Sequence, residues 1–181
     1  HRDLHSFPTR RSSDLVYETS GPGQVRERLT IAHALGQPTV YWYAHGQQLD
    51  APIRLTGDQA AMPFAGSDFW LLDLGLEFFH WPQQRLLKYE MRRGRSTRVL
   101  ESINPRPSPV GYARVVSWID VESGGLLMAE AYDAQGRMLK EFKVDSLRKV
   151  QGKWQVKDME IRNVQAKTAT KLEFNLDRDS P

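Results

Sequence analysis

The sequence predicts a mainly β protein: about eight antiparallel strands forming one strongly curved sheet or barrel, with a short helix laid across it. Three observations carry this expectation. Apolar and polar residues alternate with period two along most of the chain. Turn signals recur roughly every 8–12 residues. One stretch, GSDFWLLDLGLEFFHWP at 66–82, departs from the pattern and carries helix signals of its own.

Taken in order, Val25, Glu27, Leu29, Ile31 and His33 alternate with Arg26, Arg28, Thr30 and Ala32, and TVYWYA at 39–44 is rich in β-branched and aromatic residues. Both read as strands of a hairpin turning at LGQP, 35–38. RLLKYEMRR (85–93) and TRVLESI (97–103) follow, separated by a Gly-containing turn at 94–96. NPRPSPVG, 104–111, carries three prolines and reads as an exposed connection, because proline cannot donate to a ladder. A meander comes next: YARVVSWID (112–120), LLMAEAYD (126–133) and RMLKEFKVD (137–145), turning through ESGG and AQG. QGKW at 151–154 is another tight turn. In WQVKDMEIRN the apolar parity switches from Trp154 and Val156 to Met159 and Ile161, which predicts a β-bulge near Lys157–Asp158. TATKLEFNL (168–176) sets Thr168, Thr170, Leu172, Phe174 and Leu176 on one face.

In the exceptional stretch, Ser67 is a good N-cap, Asp68 suits the positive end of a helix dipole and Pro82 marks a stop, so residues 68–80 read as one helix. Asp73, Glu77 and His80 form a narrow polar stripe on it, and every other face is apolar. Gly75 costs such a helix about 1 kcal/mol relative to Ala, so packing must hold it.

Composition narrows the chemistry. With 181 residues and ordinary hydrophobic and charged fractions, the chain can bury a sizeable core. Its 25 basic and 22 acidic residues are interspersed, which gives nucleic-acid capture little support; MRRGR at 91–95 reads as a strand end and turn. The absence of cysteine excludes disulfides, zinc thiolates and a cysteine nucleophile. No apolar run approaches the ~20 residues that span a bilayer. Asp73, Glu77 and His80 could supply three metal ligands, but charged residues at helical spacing usually form a solvated face, and no metal site is expected. No serine sits in a nucleophile elbow and no Gly-rich loop precedes a helix and Lys, so neither a catalytic residue nor a cofactor is expected.

The first fifteen residues, HRDLHSFPTRRSSDL, show no periodic pattern and match the translated read-through of a sequencing adapter. They are expected to lie outside the fold, leaving residues 16–181 as a single domain shortened at its N-terminus, with any signal peptide missing.

The order AMPFAGSDFWLLDL (61–74), LLKYEMRRG, RVLESINP, the proline-rich break, YARVVSWIDVESGGLLMAEAYDAQGRMLKEF and WQVKDMEIRN before TATKLEF resembles the LolA-like outer-membrane lipoprotein-sorting proteins over residues 25–178. The resemblance implies an incomplete antiparallel β-barrel, with helices covering its open side around an apolar cavity that takes lipoprotein acyl chains. It further implies a non-enzymatic periplasmic carrier of acyl chains or lipid that meets an inner-membrane transporter and an outer-membrane acceptor, without nucleic acid and as a monomer. Leu72, Leu76 and Phe79 from the helix, and Trp118, Leu172 and Phe174 from one sheet face, are the candidate lipid-binding residues. Two alternatives stand beside this reading. One is a β-rich periplasmic module that docks on an envelope transporter without binding lipid; the other is a hydrolase using Asp73, Glu77 and His80. A cavity of a few hundred Å³ favours the carrier, and a filled interior favours the module.

Overall fold

In the computed structural model, residues 4–8, 15–19, 26–33, 38–55 and 59–173 are described, and absences stated below refer to them. The chain is mainly β and antiparallel, as expected, with few helical residues. Its strands fall into two ladders, and the chain divides after His80 into two compact units, where one domain from residue 16 was anticipated.

The first unit holds β1 (Leu4–Pro8), β2 (Leu15–Thr19), β3 (Glu27–Ala32), β4 (Val40–His45) and β5 (Ile53–Leu55), neighbours in chain order. Leu4–Pro8, within the segment expected to lie outside the fold, pairs along β2 from Leu4 opposite Thr19 to Pro8 opposite Leu15. The β3–β4 hairpin forms as expected, although residues 34–37 of its turn lie outside the described residues. One face of this sheet carries Tyr17, Leu29, Ile31, Tyr41 and Tyr43, all buried.

Residues 66–80 lie against that face, but not as the single helix expected over 68–80. A left-handed pair, Ala65 (φ 56°) and Gly66 (φ 62°), makes a tight turn in which the Ser67 amide donates to the Phe64 carbonyl at 3.0 Å. Ser67 is spent there: its hydroxyl donates to the Phe64 carbonyl (2.6 Å) and accepts from the Phe69 amide (3.2 Å). The helix, α1 (Leu71–Leu74), therefore begins after Trp70, whose amide donates to the Asp73 carboxylate at 2.7 Å. It ends at Gly75 because Leu76 turns left-handed (φ 46°), and the Tyr41 ring against Gly75 leaves no room for a side chain there. A short 3₁₀ turn, Glu77–His80, completes the segment. Leu71, Leu72, Leu74 and Phe78 are buried. At roughly 1.5–3 kcal/mol for each large apolar side chain removed from water, packing outweighs the short helix's poor intrinsic stability.

The second unit is a plain meander of β6 (Gln83–Arg92), β7 (Arg95–Ile103), β8 (Arg114–Asp120), β9 (Leu126–Tyr132), β10 (Met138–Val150), β11 (Lys153–Asn163) and β12 (Thr168–Glu173), with sequence neighbours adjacent throughout. The turns Arg93–Gly94 (φ 52° and 76°) and Gln151–Gly152 (φ 51° and 78°) are left-handed at both centres, the geometry whose twist suits a two-residue hairpin. The proline-rich break is exposed at Pro105, Pro107 and Pro109, and Asn104 anchors it by donating its side-chain amide to the Tyr112 carbonyl at 2.8 Å. The expected bulge is present: between β10 and β11, Asp145 and Lys157 are each skipped by the register.

That irregularity accompanies a strong curl. The Arg93 guanidinium, in the β6–β7 turn, donates to the Val144 and Asp145 carbonyls of β10, and Arg95 of β7 lies over the Trp154 ring of β11 at 4.9 Å. Four strand spacings separate β7 from β11, about 19 Å if the sheet were flat. The seven-stranded sheet is thus bent into an open half-barrel whose ends approach at this corner.

Candidate functional site

The curl gives the seven-stranded sheet an inner and an outer face, and register assigns residues to each. The inner face carries Val115 and Ser117 of β8, Leu127, Ala129 and Ala131 of β9, Phe142 and Val144 of β10, Ile161 of β11 and Leu172 of β12. All are buried. The middle strands contribute small side chains, Ser117, Ala129 and Ala131, with Phe142, Ile161 and Leu172 beside them, and the buried Lys140, opposite Ala131, places a cation on the same face. The Ser117 hydroxyl is buried on this face with no hydrogen-bond partner. Where the sheet pinches, a cleft of about 250 Å³ opens, lined by Leu127, Val144 and Leu147 below and by Arg93, Arg95 and Trp154 at its rim.

The outer face is charged and crosslinked. Glu101 takes Arg85 at 2.9 Å and Arg114 at 2.7 Å, and Arg114 also lies over the Tyr132 ring at 4.8 Å. Glu141, Lys143, Glu160 and Arg162 line a shallow polar groove on the same face. At its centre Trp118 packs with Val99 and Val116, donates its indole N–H to Glu90 at 2.7 Å, and is covered by the Arg92 guanidinium at 5.1 Å. The indole hydrogen bond, with Lys88 and Arg92 nearby, holds the Glu90 carboxyl below its ordinary range.

Turns at the strand ends are tied by aspartates. Asp120 accepts from Arg95 (2.7 Å), the Ser123 hydroxyl (2.5 Å) and the Ser123 amide (3.0 Å). Asp133 accepts from the Gln135 and Arg137 amides at 2.9 Å each and from the Arg137 guanidinium at 3.0 Å. Burial would raise both carboxyls, but these hydrogen bonds and charges more than offset it and hold both below their ordinary value.

The candidate residues from sequence are not brought together as one lining. Leu72 is buried, and Leu76 and Phe79 half-buried, in the first unit. In the second unit Leu172 is on the inner face, but Trp118 is on the outer one; they were expected to share a face, and counting register across five strands separates them. Phe174 lies outside the described residues. Val115, Ser117, Ala129, Ala131, Phe142 and Ile161 were missed as lining residues. Their signal was the less conspicuous parity of VVSWID and LLMAEAY, where small side chains occupy facing positions.

The polar stripe disperses in the same way. Asp73 caps α1, Glu77 accepts from the Tyr41 hydroxyl at 2.6 Å, and His80 stacks on His33 with ring centroids 4.2 Å apart. Among the described residues no group of three or more His, Asp or Glu is placed to hold a metal ion, and no helix is long and apolar enough to cross a membrane.

A family profile described as "-like: Uncharacterized protein" matches residues 17–177. No curated protein sequence matches the chain. Among solved structures, a DUF1329 family protein from Desulfovibrio piger aligns with a TM-score of 0.70 at 18% identity, covering 93% of this chain and 71% of that one. An outer membrane lipoprotein-sorting protein domain from Vibrio parahaemolyticus aligns with a TM-score of 0.63 at 23% identity, covering 94% and 79%. A LolA superfamily protein from Nitrosomonas europaea aligns with a TM-score of 0.56 at 16% identity, covering 99% and 85%.

Proposed function

The chain belongs to the family whose profile spans its residues 17–177 and has the LolA-like fold, and from that premise we propose that it is a non-enzymatic periplasmic carrier that takes the acyl chains of lipoproteins or lipids on the inner face of its half-barrel. The observation that carries the reading is the cleft of about 250 Å³ lined by Leu127, Val144, Leu147 and Trp154, on a sheet whose buried face carries the small and apolar side chains Ser117, Ala129, Ala131, Phe142 and Ile161. Each methylene hidden there contributes about 0.8 kcal/mol, enough for a chain of ten or more carbons to be held against water yet released to a better acceptor. The arginines at the cleft rim suit the polar end of such a ligand. Transfer partners would be an inner-membrane transporter and an outer-membrane acceptor, in keeping with the fold shared with an outer membrane lipoprotein-sorting protein domain.

Full burial of Val115, Ala129, Ala131 and Ile161 supports the rival reading of a filled envelope module that binds no lipid. Ligand binding separates the two. The protein, expressed in an envelope-targeted form, is expected to carry bound lipid in native mass spectrometry and to bind an acyl-chain fluorophore. Leu147→Trp, which fills the cleft, is expected to weaken fluorophore binding at least tenfold while circular dichroism stays β-like. A lipid-free spectrum together with no fluorophore binding to the parent protein rejects the carrier.

A further inference from the structure

Positive charge and exposed apolar surface concentrate on one hairpin. β6, β7 and the turn between them carry six basic side chains, Arg85, Lys88, Arg92, Arg93, Arg95 and Arg98, against two carboxylates, Glu90 and Glu101. That surplus exceeds the +3 of the whole chain, so the remaining residues taken together are slightly acidic. Asp120 of β8 offsets Arg95, but Arg93 is held by neutral main-chain carbonyls and Arg98 is exposed without an acidic partner among the described residues. The apolar part lies on the same hairpin. Leu86, Tyr89 and Met91 stand opposite Leu100, Arg98 and Ser96 of β7, positions of one parity, so the three share a face with Arg98. Leu100 stands opposite Ser117 of β8, which makes this the inner face. That face is buried along its middle strands, yet at this margin Leu86 is 47% exposed and Tyr89 and Met91 are 65% exposed.

We propose that the β6–β7 hairpin docks this protein on the surface of an anionic phospholipid bilayer. Leu86, Tyr89 and Met91 enter the boundary between headgroups and acyl chains, while Arg98 beside them, Arg93 at the turn, and Lys88 and Arg92 on the other face meet lipid phosphates. β6 is the last strand of its sheet, so no described strand stands between the hairpin and a flat surface. The combination of side chains selects the partner. A cationic surface for single-stranded nucleic acid gains from stacked aromatics, whereas this hairpin sets one aromatic, Tyr89, among aliphatic side chains that gain by leaving water. Interfacial binding adds apolar insertion to attraction by anionic lipid, and both parts are present here. The attraction is screened by salt and the insertion is not, so docking is reversible and salt-sensitive. It does not depend on whether the cleft holds a ligand.

The full chain is sedimented with vesicles of phosphatidylcholine alone or of phosphatidylcholine and phosphatidylglycerol at about 7:3. It is expected to bind the anionic vesicles about tenfold more tightly, and to lose most of that preference between about 0.05 M and about 0.5 M salt. Lys88→Glu with Arg98→Glu is expected to abolish the preference. Tyr89→Ser with Met91→Ser is expected to weaken binding about tenfold at low salt and to leave the preference for anionic lipid in place. None of these four residues lines the cleft, so binding of the acyl-chain fluorophore in solution stays as in the parent protein, and docking and carriage fail separately. Insertion is read directly, because the chain has no cysteine: an environment-sensitive dye on Met91→Cys is expected to brighten and shift to the blue with anionic vesicles, and the same dye on Val110→Cys, an exposed site elsewhere, is not. Equal binding to both vesicle types, no binding at low salt, or no dye response at position 91 overturns the proposal. So does binding to heparin or DNA as tight as to anionic vesicles and indifferent to the Tyr89 and Met91 changes, which assigns the hairpin to a polyanion instead.

Discussion

Gly75 lies where any Cβ would meet the Tyr41 hydroxyl at 2.6 Å and its ring at 2.9 Å, and Tyr41 is fully buried and tied to Glu77. Helix propensity alone says that Gly75→Ala stabilises by about 1 kcal/mol. Overpacking against a ring that cannot move reverses the sign, and Gly75→Ala is expected to destabilise the first unit by about 1–3 kcal/mol in urea unfolding. Ser117 presents the opposite case. Its hydroxyl is buried without a partner, so Ser117→Ala removes a desolvation cost and breaks no hydrogen bond. It is expected to raise the stability of the second unit by about 1 kcal/mol in the same measurement. Neither effect is readable from sequence, where Gly75 is a mid-helix glycine and Ser117 a polar residue in a strand; each depends on what a distant segment places beside it.

Among the elements, those with strong local patterns were legible. The strands from residue 85 to the β12 alternation, the exposed proline break and the bulge at Lys157 all follow from period, proline chemistry and a parity switch. The short β5, the extension of β10 through Val150 and the pairing of β1 carry no comparable pattern. The stretch 66–82 was legible as apolar, yet Ser67 does not cap its helix, which starts after Trp70 and is one turn long. The Ala65–Gly66 turn claims the Ser67 hydroxyl, and the left-handed Leu76 ends the helix after Gly75. Local signals identified that a helix forms in this stretch; the turn before it and the left-handed residue after it decided where it began and ended.

At the scale of the molecule, three of the four described tyrosines held above their ordinary range lie in the first unit, with Tyr132 in the second, whereas the two depressed aspartates both lie in the second. In the first, burial pushes the Tyr17 hydroxyl up to about 12; burial and the Glu77 charge raise Tyr41, and burial and the Glu27 hydrogen bond raise Tyr43. A tyrosine whose folded pKa is raised keeps its proton longer in the folded state. Its contribution is complete below pH 10 and is lost as pH rises from there toward about 12. In the second unit Asp120 and Asp133 are held low, so their contribution is present above the ordinary carboxylate range and is lost as pH falls through their depressed values. Hydrogen exchange is expected to show residues 15–80 loosening first in alkali and residues 81–173 first in acid. Uniform loosening of both units at either extreme contradicts this assignment.

Periodicity, turn residues and the apolar content of 66–82 by themselves determined a mainly β antiparallel chain with one apolar segment folded onto a sheet, because each is a property of residues within a few positions of one another. The tertiary structure alone decided that the strands form two ladders, that Trp118 belongs to the charged outer face while Ser117 and Ala129 line the inner one, and that Asp73, Glu77 and His80 serve three separate contacts. A strand pattern records that two faces exist and differ. Which of them is concave depends on the accumulated twist and bulges of neighbouring strands, and that sum is reached only when the whole sheet has curled far enough for Arg93 to reach Asp145 and Arg95 to reach Trp154.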